Sequence, residues 1–102
     1  MNFNSIMQQA QKMQRELAKK LDEFEQKEFE YDYQNSSVVV KLNGKLEILN
    51  ITISDVLVDP EDKTTLQEMV CEAVNSAIKE VSKAKDAITS STMPKGGMPG
   101  LF

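Results

Sequence analysis

The chain has 102 residues, 27% of them charged, with 12 Lys and Arg against 16 Asp and Glu, no His, no Trp and one Cys. That length fits one small domain, burying about 60–70% of the unfolded surface, and excludes a multidomain enzyme. Without an imidazole, and with Cys71 alone, a histidine base, a Cys/His zinc cluster and an internal disulfide are out of reach. A net charge of -4 and a pI of about 4.8 argue, for the chain taken whole, against a generic nucleic-acid binder.

The opening residues Met1-Asn2-Phe3-Asn4-Ser5 carry neither a basic leader nor a long apolar core, so no signal peptide is expected. No stretch approaches the roughly 18 consecutive apolar residues of a membrane span. A cytoplasmic location without a membrane partner is the expectation, and an unpaired thiol suits a reducing compartment. Cys71 falls in a helical apolar region, which points to packing rather than chemistry.

Apolar side chains at Phe3, Ile6, Met7, Ala10, Met13, Leu17, Leu21 and Phe24 repeat with 3–4 spacing and predict a long first helix over residues 3–27. Asn4 or Ser5 is placed to cap it, and its short heptad-like seam calls for a partner helix. The period changes to two at Glu28-Phe29-Glu30-Tyr31-Asp32-Tyr33, a strand with acids on one face and aromatics on the other. Asn35-Ser36-Ser37 supplies a turn, and Val38 to Leu42 predicts a second, β-branched strand. Asn43-Gly44 favours a two-residue hairpin into a third strand, Lys45 to Ile53.

In that third strand Leu46 and Ile48 lie on one phase, and Leu49, Ile51 and Ile53 on the other. Either a bulge shifts the phase or both sheet faces are covered, and partial double coverage is the preferred reading. Two helices cover one face of such a sheet, so these five residues are the candidate interface with a second copy of the chain. A polar stretch from Asp55 to Lys63 precedes a second helix, entered through a capping box at Thr64-x-x-Gln67 or Thr65-x-x-Glu68. Its stripe is Leu66, Met69, Val70, Ala73, Val74, Ala77, Ile78, Val81, Ala84 and Ile88. The domain is expected to occupy residues 1–90. Residues 91–102 hold two of the three Pro and three of the four Gly, which predicts a flexible tail whose Leu101-Phe102 suits docking.

Charge is unevenly distributed. Residues 1–20 carry Lys12, Arg15, Lys19 and Lys20 against Glu16, a balance of +3, whereas residues 21–32 carry six acids against Lys27, a balance of -5. At about 100° per residue, Lys12, Arg15 and Lys19 form one stripe opposite the apolar seam, with Lys20 off it. Such a stripe can neutralise phosphates, although a solvated helix face looks the same. On the second helix Lys79 and Lys83 share their surface with Glu72 and Asp86, so intrahelical ion pairing is expected there, while Lys85 lies nearer the apolar rim. The acids Asp55, Asp59, Glu61 and Asp62 lack the glycine bend and twelfth-position Glu of a calcium loop, and Gly96-Gly97 follows a helix instead of preceding one. No metal, cofactor or catalytic constellation is expected.

Three collinear segments resemble the YbaB/EbfC nucleoid-associated proteins of bacteria. They are Ile6-Met7-Gln8-Gln9-Ala10-Gln11-Lys12-Met13-Gln14, then Val38-Val39-Val40-Lys41-Leu42-Asn43-Gly44 with Glu47-Ile48 and Ile51-Thr52-Ile53, then Leu66-Gln67-Glu68-Met69-Val70 with Ala73-Val74-Asn75, Ala77 and Lys79. The ending Gly96-Gly97-Met98-Pro99-Gly100-Leu101-Phe102 is similar as well. The resemblance implies an α+β fold, an α-β-β-β-α protomer in a tweezer-like homodimer that binds double-stranded DNA at the nucleoid, with roles in chromosome organisation, gene regulation or repair and with other nucleoid or repair proteins as partners. It favours Lys12, Arg15, Lys19 and Lys20 as phosphate contacts, with Lys79, Lys83 and Lys85 behind them. Ser54-Asp55 stands where the family has Asp-Pro, and the run from Glu23 to Asp32 is unusually acidic. The alternative is a protein-interaction adaptor that grips another protein with its helices and tail.

Overall fold

The structure, a computed structural model, describes residues 2–92. Helix α1 (Phe3–Glu25) leads into strands β1 (Glu28–Tyr33), β2 (Val38–Asn43) and β3 (Ile48–Ile53), a short 3-10 turn at Asp55–Leu57, and helix α2 (Lys63–Thr92). The strands form one antiparallel sheet in the order β1-β2-β3, so the expected α-β-β-β-α fold is observed. Because α2 runs to Thr92, two residues assigned to the tail belong to this helix. The rest of the expected tail, with Leu101-Phe102, lies outside the described residues.

The sheet's inner face carries the core. Val38, Val40 and Leu42 of β2 are fully buried against Ala73, Ala77 and Val81 of α2, with Phe24 of α1 closing one end. Alanines at the contact let the helix approach the strands closely, and Phe29, Tyr31 and Tyr33 of β1 pack around the same cluster. The outer face is polar, with Glu28, Glu30 and Asp32 opposite Asn43, Lys41 and Val39. There Lys41 Nζ lies 3.0 Å from Glu28 Oε1, a bond that raises the lysine's pKa.

The local chemistry departs from expectation at five places. Asn2, rather than Asn4 or Ser5, caps α1 by accepting the Asn4 N–H at 2.8 Å. Asp62, just before α2, takes the N–H and hydroxyl of Thr65 at 3.2 and 2.7 Å, so a carboxylate occupies the place expected for a Thr-led capping box. The β2–β3 connection is a three-residue loop: Leu46 N–H donates to Asn43 C=O, Asn43 N–H donates to Glu47 C=O, and the left-handed residue is Leu46 at φ 68°. Leu46 holds that conformation with its half-buried side chain packed against the core. Gly44 serves a different purpose, since a Cβ there would lie 2.0 Å from the Phe24 carbonyl oxygen.

The fifth departure is in β3. The pairs Val38–Ile53, Val40–Ile51 and Leu42–Ile48 share a face because the register shifts between Lys41 and Leu42, leaving Leu49 unpaired with β2. A bulge therefore reconciles the two phases, and double coverage of the sheet does not explain them. These residues nonetheless stay open to solvent: Ile48 and Ile51 are each 37% exposed and Leu49 46%. Helix α2 lies over β1 and β2 and leaves most of β3 exposed.

Candidate nucleic-acid interface

Helix α1 is anchored only at its end. Phe24 is buried, Leu21 and Leu17 are half-buried, and Phe3, Ile6 and Met7 are 72%, 46% and 45% exposed. Glu25 Oε2 sits 3.5 Å from Lys85 Nζ of α2. At 1.5 Å per residue, α2 covers about 33 Å from Lys63 to Lys85, and α1 about the same from Glu25 back to Phe3. Laid end to end these account for nearly all of the molecule's 71 Å length, so α1 projects from the sheet as an arm instead of folding back on it.

The arm carries the basic stripe. Lys12, Arg15, Lys19 and Lys20 are all exposed, and none lies within ion-pair distance of a carboxylate among the described residues. Lys12 to Lys19 spans about 10 Å of helix, the axial length of about three phosphates on one strand of B-DNA. Lys19 and Lys20 border a shallow surface hollow shared with Glu16 and Glu23, which weakens the positive field on that flank. The acids Asp22, Glu23, Glu25, Glu28 and Glu30 follow where the arm meets the sheet, so a basic arm joins the body through an acidic waist.

On α2 the candidates divide. Lys79 and Lys83 are exposed, and the anticipated intrahelical pairing is not formed among the described residues. Glu72 instead accepts a hydrogen bond from the Tyr33 hydroxyl, tying α2 to β1 and raising the tyrosine's pKa. Lys85 is held by Glu25, so of the three it is the one already neutralised. Cys71, expected to pack, is exposed and accepts from Asn75 Nδ2 at 3.6 Å. Among the described residues no group of three or more His, Cys, Asp or Glu is placed to hold a metal ion, and no helix is long and apolar enough to cross a membrane.

The model of the YbaB/EbfC DNA-binding family matches residues 1–98. The chain belongs to this family. Among its YbaB/EbfC relatives, a nucleoid-associated protein of Ureaplasma parvum is 47% identical over the full length of both chains. A nucleoid-associated protein of Malacoplasma penetrans is 45% identical over 92% of this chain and 99% of its own. The crystal structure of an uncharacterized protein from Helicobacter pylori shares the YbaB-like fold with a TM-score of 0.73 at 21% identity, covering 92% of this chain and 99% of that one. Membership gives the exposed lysines of the arm a context that charge alone did not.

Proposed function

We propose that this protein is a non-enzymatic, nucleoid-associated DNA-binding protein of the bacterial cytoplasm. It acts as a homodimer and holds duplex DNA largely through backbone phosphates, in chromosome organisation, gene regulation or repair. The observation that carries this reading is the unpaired stripe of Lys12, Arg15 and Lys19 on a projecting arm of a YbaB/EbfC family chain. Lys20, Lys79 and Lys83 add weaker contacts, and Lys85 adds least because Glu25 already holds it. A salt-dependent titration with several unrelated duplexes tests the reading. Replacing Lys12, Arg15 and Lys19 by Ala removes six cations from a dimer and should lower the salt slope by about 5, equally for every sequence. An unchanged slope would sink the assignment.

The homodimer reading rests on β3. Natural edge strands are usually blunted by charge or proline, yet Ile48-Leu49-Asn50-Ile51-Thr52-Ile53 has neither and leaves Ile48, Leu49 and Ile51 exposed. Burial against a second copy removes that liability, with Ile53 and the half-buried Leu46 at its margin. Sedimentation at micromolar concentration should give twice the 11.5 kDa protomer mass, and Ile51→Asp should give a folded protomer. A wild-type protomer would overturn the dimer. Exposed Phe3 and Val56 favour the adaptor as the second reading. It predicts protein partners that stay bound after nuclease treatment.

A further inference from the structure

We propose that the protein associates head to tail: the apolar tip of the α1 arm of one copy docks on an apolar hollow, flanked by acids, at the far end of the body of another. The first observation is the tip. Phe3, Ile6 and Met7 are 72%, 46% and 45% exposed, and residues 2–15 hold Lys12 and Arg15 with no acid. The first turn of α1 has no acid either and its cap is the neutral Asn2, so the positive end of the helix dipole stands uncompensated beside these apolar side chains.

The second observation is the opposite end of the molecule. Val56 and Val58, on either side of Leu57, are 89% and 60% exposed. Val58, Pro60 and Leu66, with Asp59 and Lys63, line a hollow of about 360 Å³ at the start of α2 whose walls are almost wholly apolar. Residues 55–63 carry Asp55, Asp59, Glu61 and Asp62 against Lys63, a balance of -3. Such a surround repels phosphate and attracts an apolar tip that is positive and free of acid, so the two ends of the chain complement each other.

The third observation is their separation. Helix α2 up to Lys85 and the arm beyond it put the tip about 66 Å from the start of α2, in a molecule 71 Å long. The tip of a continuous helix cannot return over that distance, so the hollow it meets belongs to another copy. A contact between unlike patches that does not close on itself extends into open chains. Three side chains bury less than the roughly 1,200 Å² of a stable complex, so the chains grow only when the protein is crowded. Lys12, Arg15 and Lys19 lie on the far side of the arm from its apolar stripe, so a docked arm keeps its cations free. The inference goes beyond DNA binding and is read without DNA.

The test is sedimentation of the full chain, without DNA, from about 10 µM to about 1 mM. The average mass should climb without a plateau to more than about twice that of the species present at the lowest concentration, whether that is a dimer or a protomer. Phe3→Ser with Ile6→Ser, and separately Val56→Ser with Val58→Ser, should each stop the climb, and all four positions are exposed, so the fold is kept. Mixing the two double variants should restore it, because one retains the hollow and the other the tip. Asp55→Asn with Glu61→Gln should weaken association about threefold. A wild-type mass that stays level, growth that survives either Ser pair, a mixture that does not regain growth, or association unchanged by removing the two acids would overturn the proposal.

Discussion

Helices α1 and α2 carry the same amphipathic pattern and meet opposite fates. The stripe of α2 lies on the sheet, where Ala73, Ala77 and Val81 are buried against Val38, Val40 and Leu42. The stripe of α1 is buried only at Phe24 and becomes exposed towards Phe3. Periodicity marks which face of a helix is apolar; what that face meets depends on where the chain reverses. Here Lys27 and Gly44 pin the end of α1 to the β2–β3 hairpin, through the Gly44 N–H to Lys27 C=O bond of 3.1 Å. The rest of the helix is directed outward.

The largest expected difference between the two regions is in stability. Leu42→Ala opens a cavity beneath α2 and should cost about 3 kcal/mol, a large share of the roughly 5–15 kcal/mol that holds a small domain folded. Ile6→Ala removes a side chain of similar size from a 46% exposed site on the arm and should cost under about 1 kcal/mol. Denaturant titration of the two variants checks the contrast. Similar losses would mean that the arm is packed as tightly as the body.

A second, smaller effect tests the joint between them. In Gly44→Ala the added methyl would stand 2.0 Å from the Phe24 carbonyl oxygen and 2.7 Å from its ring, so the last turn of α1 must shift. The cost should be about 1–3 kcal/mol. Amide exchange should quicken first in the last turn of α1, while Val38 and Val40, fully buried in β2, should stay protected. Loss of protection in β2 before α1 would show that Gly44 supports the sheet rather than the arm.

Most of the architecture was legible from period alone: the two helices, the alternating β1 and the β-branched β2 fall where their patterns put them, and β3 does so from Ile48 onward, three residues later than expected. The readings that failed were those decided by contacts between elements. Asn43-Gly44 suggested a hairpin with both residues at positive φ, but the glycine is required by Phe24, distant in sequence, and the left-handed position falls to Leu46. The mixed phase of β3 was visible in the sequence, whereas the bulge that resolves it depends on pairing with β2. On the candidate interface, helical spacing alone placed Lys12, Arg15 and Lys19 together. Lys85 stood apart from Lys79 and Lys83 in the sequence only as nearer the apolar rim; its partner Glu25, sixty positions away in the chain, is brought to it by the fold. Glu72 looked like a helix-surface partner for lysine until Tyr33 took it.

The smallest expected effect contrasts the caps of the two helices. Asp62 has a pKa lowered from the usual carboxylate value, first by the hydrogen bond from the Thr65 hydroxyl and then by the Thr65 N–H, with slight desolvation opposing. A folded-state pKa below the unfolded one means that the stabilisation is fully present above about pH 4 and is lost as pH falls through the lowered value. Helix α1 has no such dependence at its start, because its cap is the amide of Asn2 and its first turn contains no acid. Lowering the pH from 5 towards 2 should therefore reduce the protection factor of the Thr65 amide while leaving that of Asn4 level. Asp62→Asn should flatten the Thr65 response, since an amide still accepts the hydrogen bond but does not titrate. A parallel fall at Asn4 would show that acid loosens both helices together, and the arm and body would then behave as one cooperative unit despite their different burial.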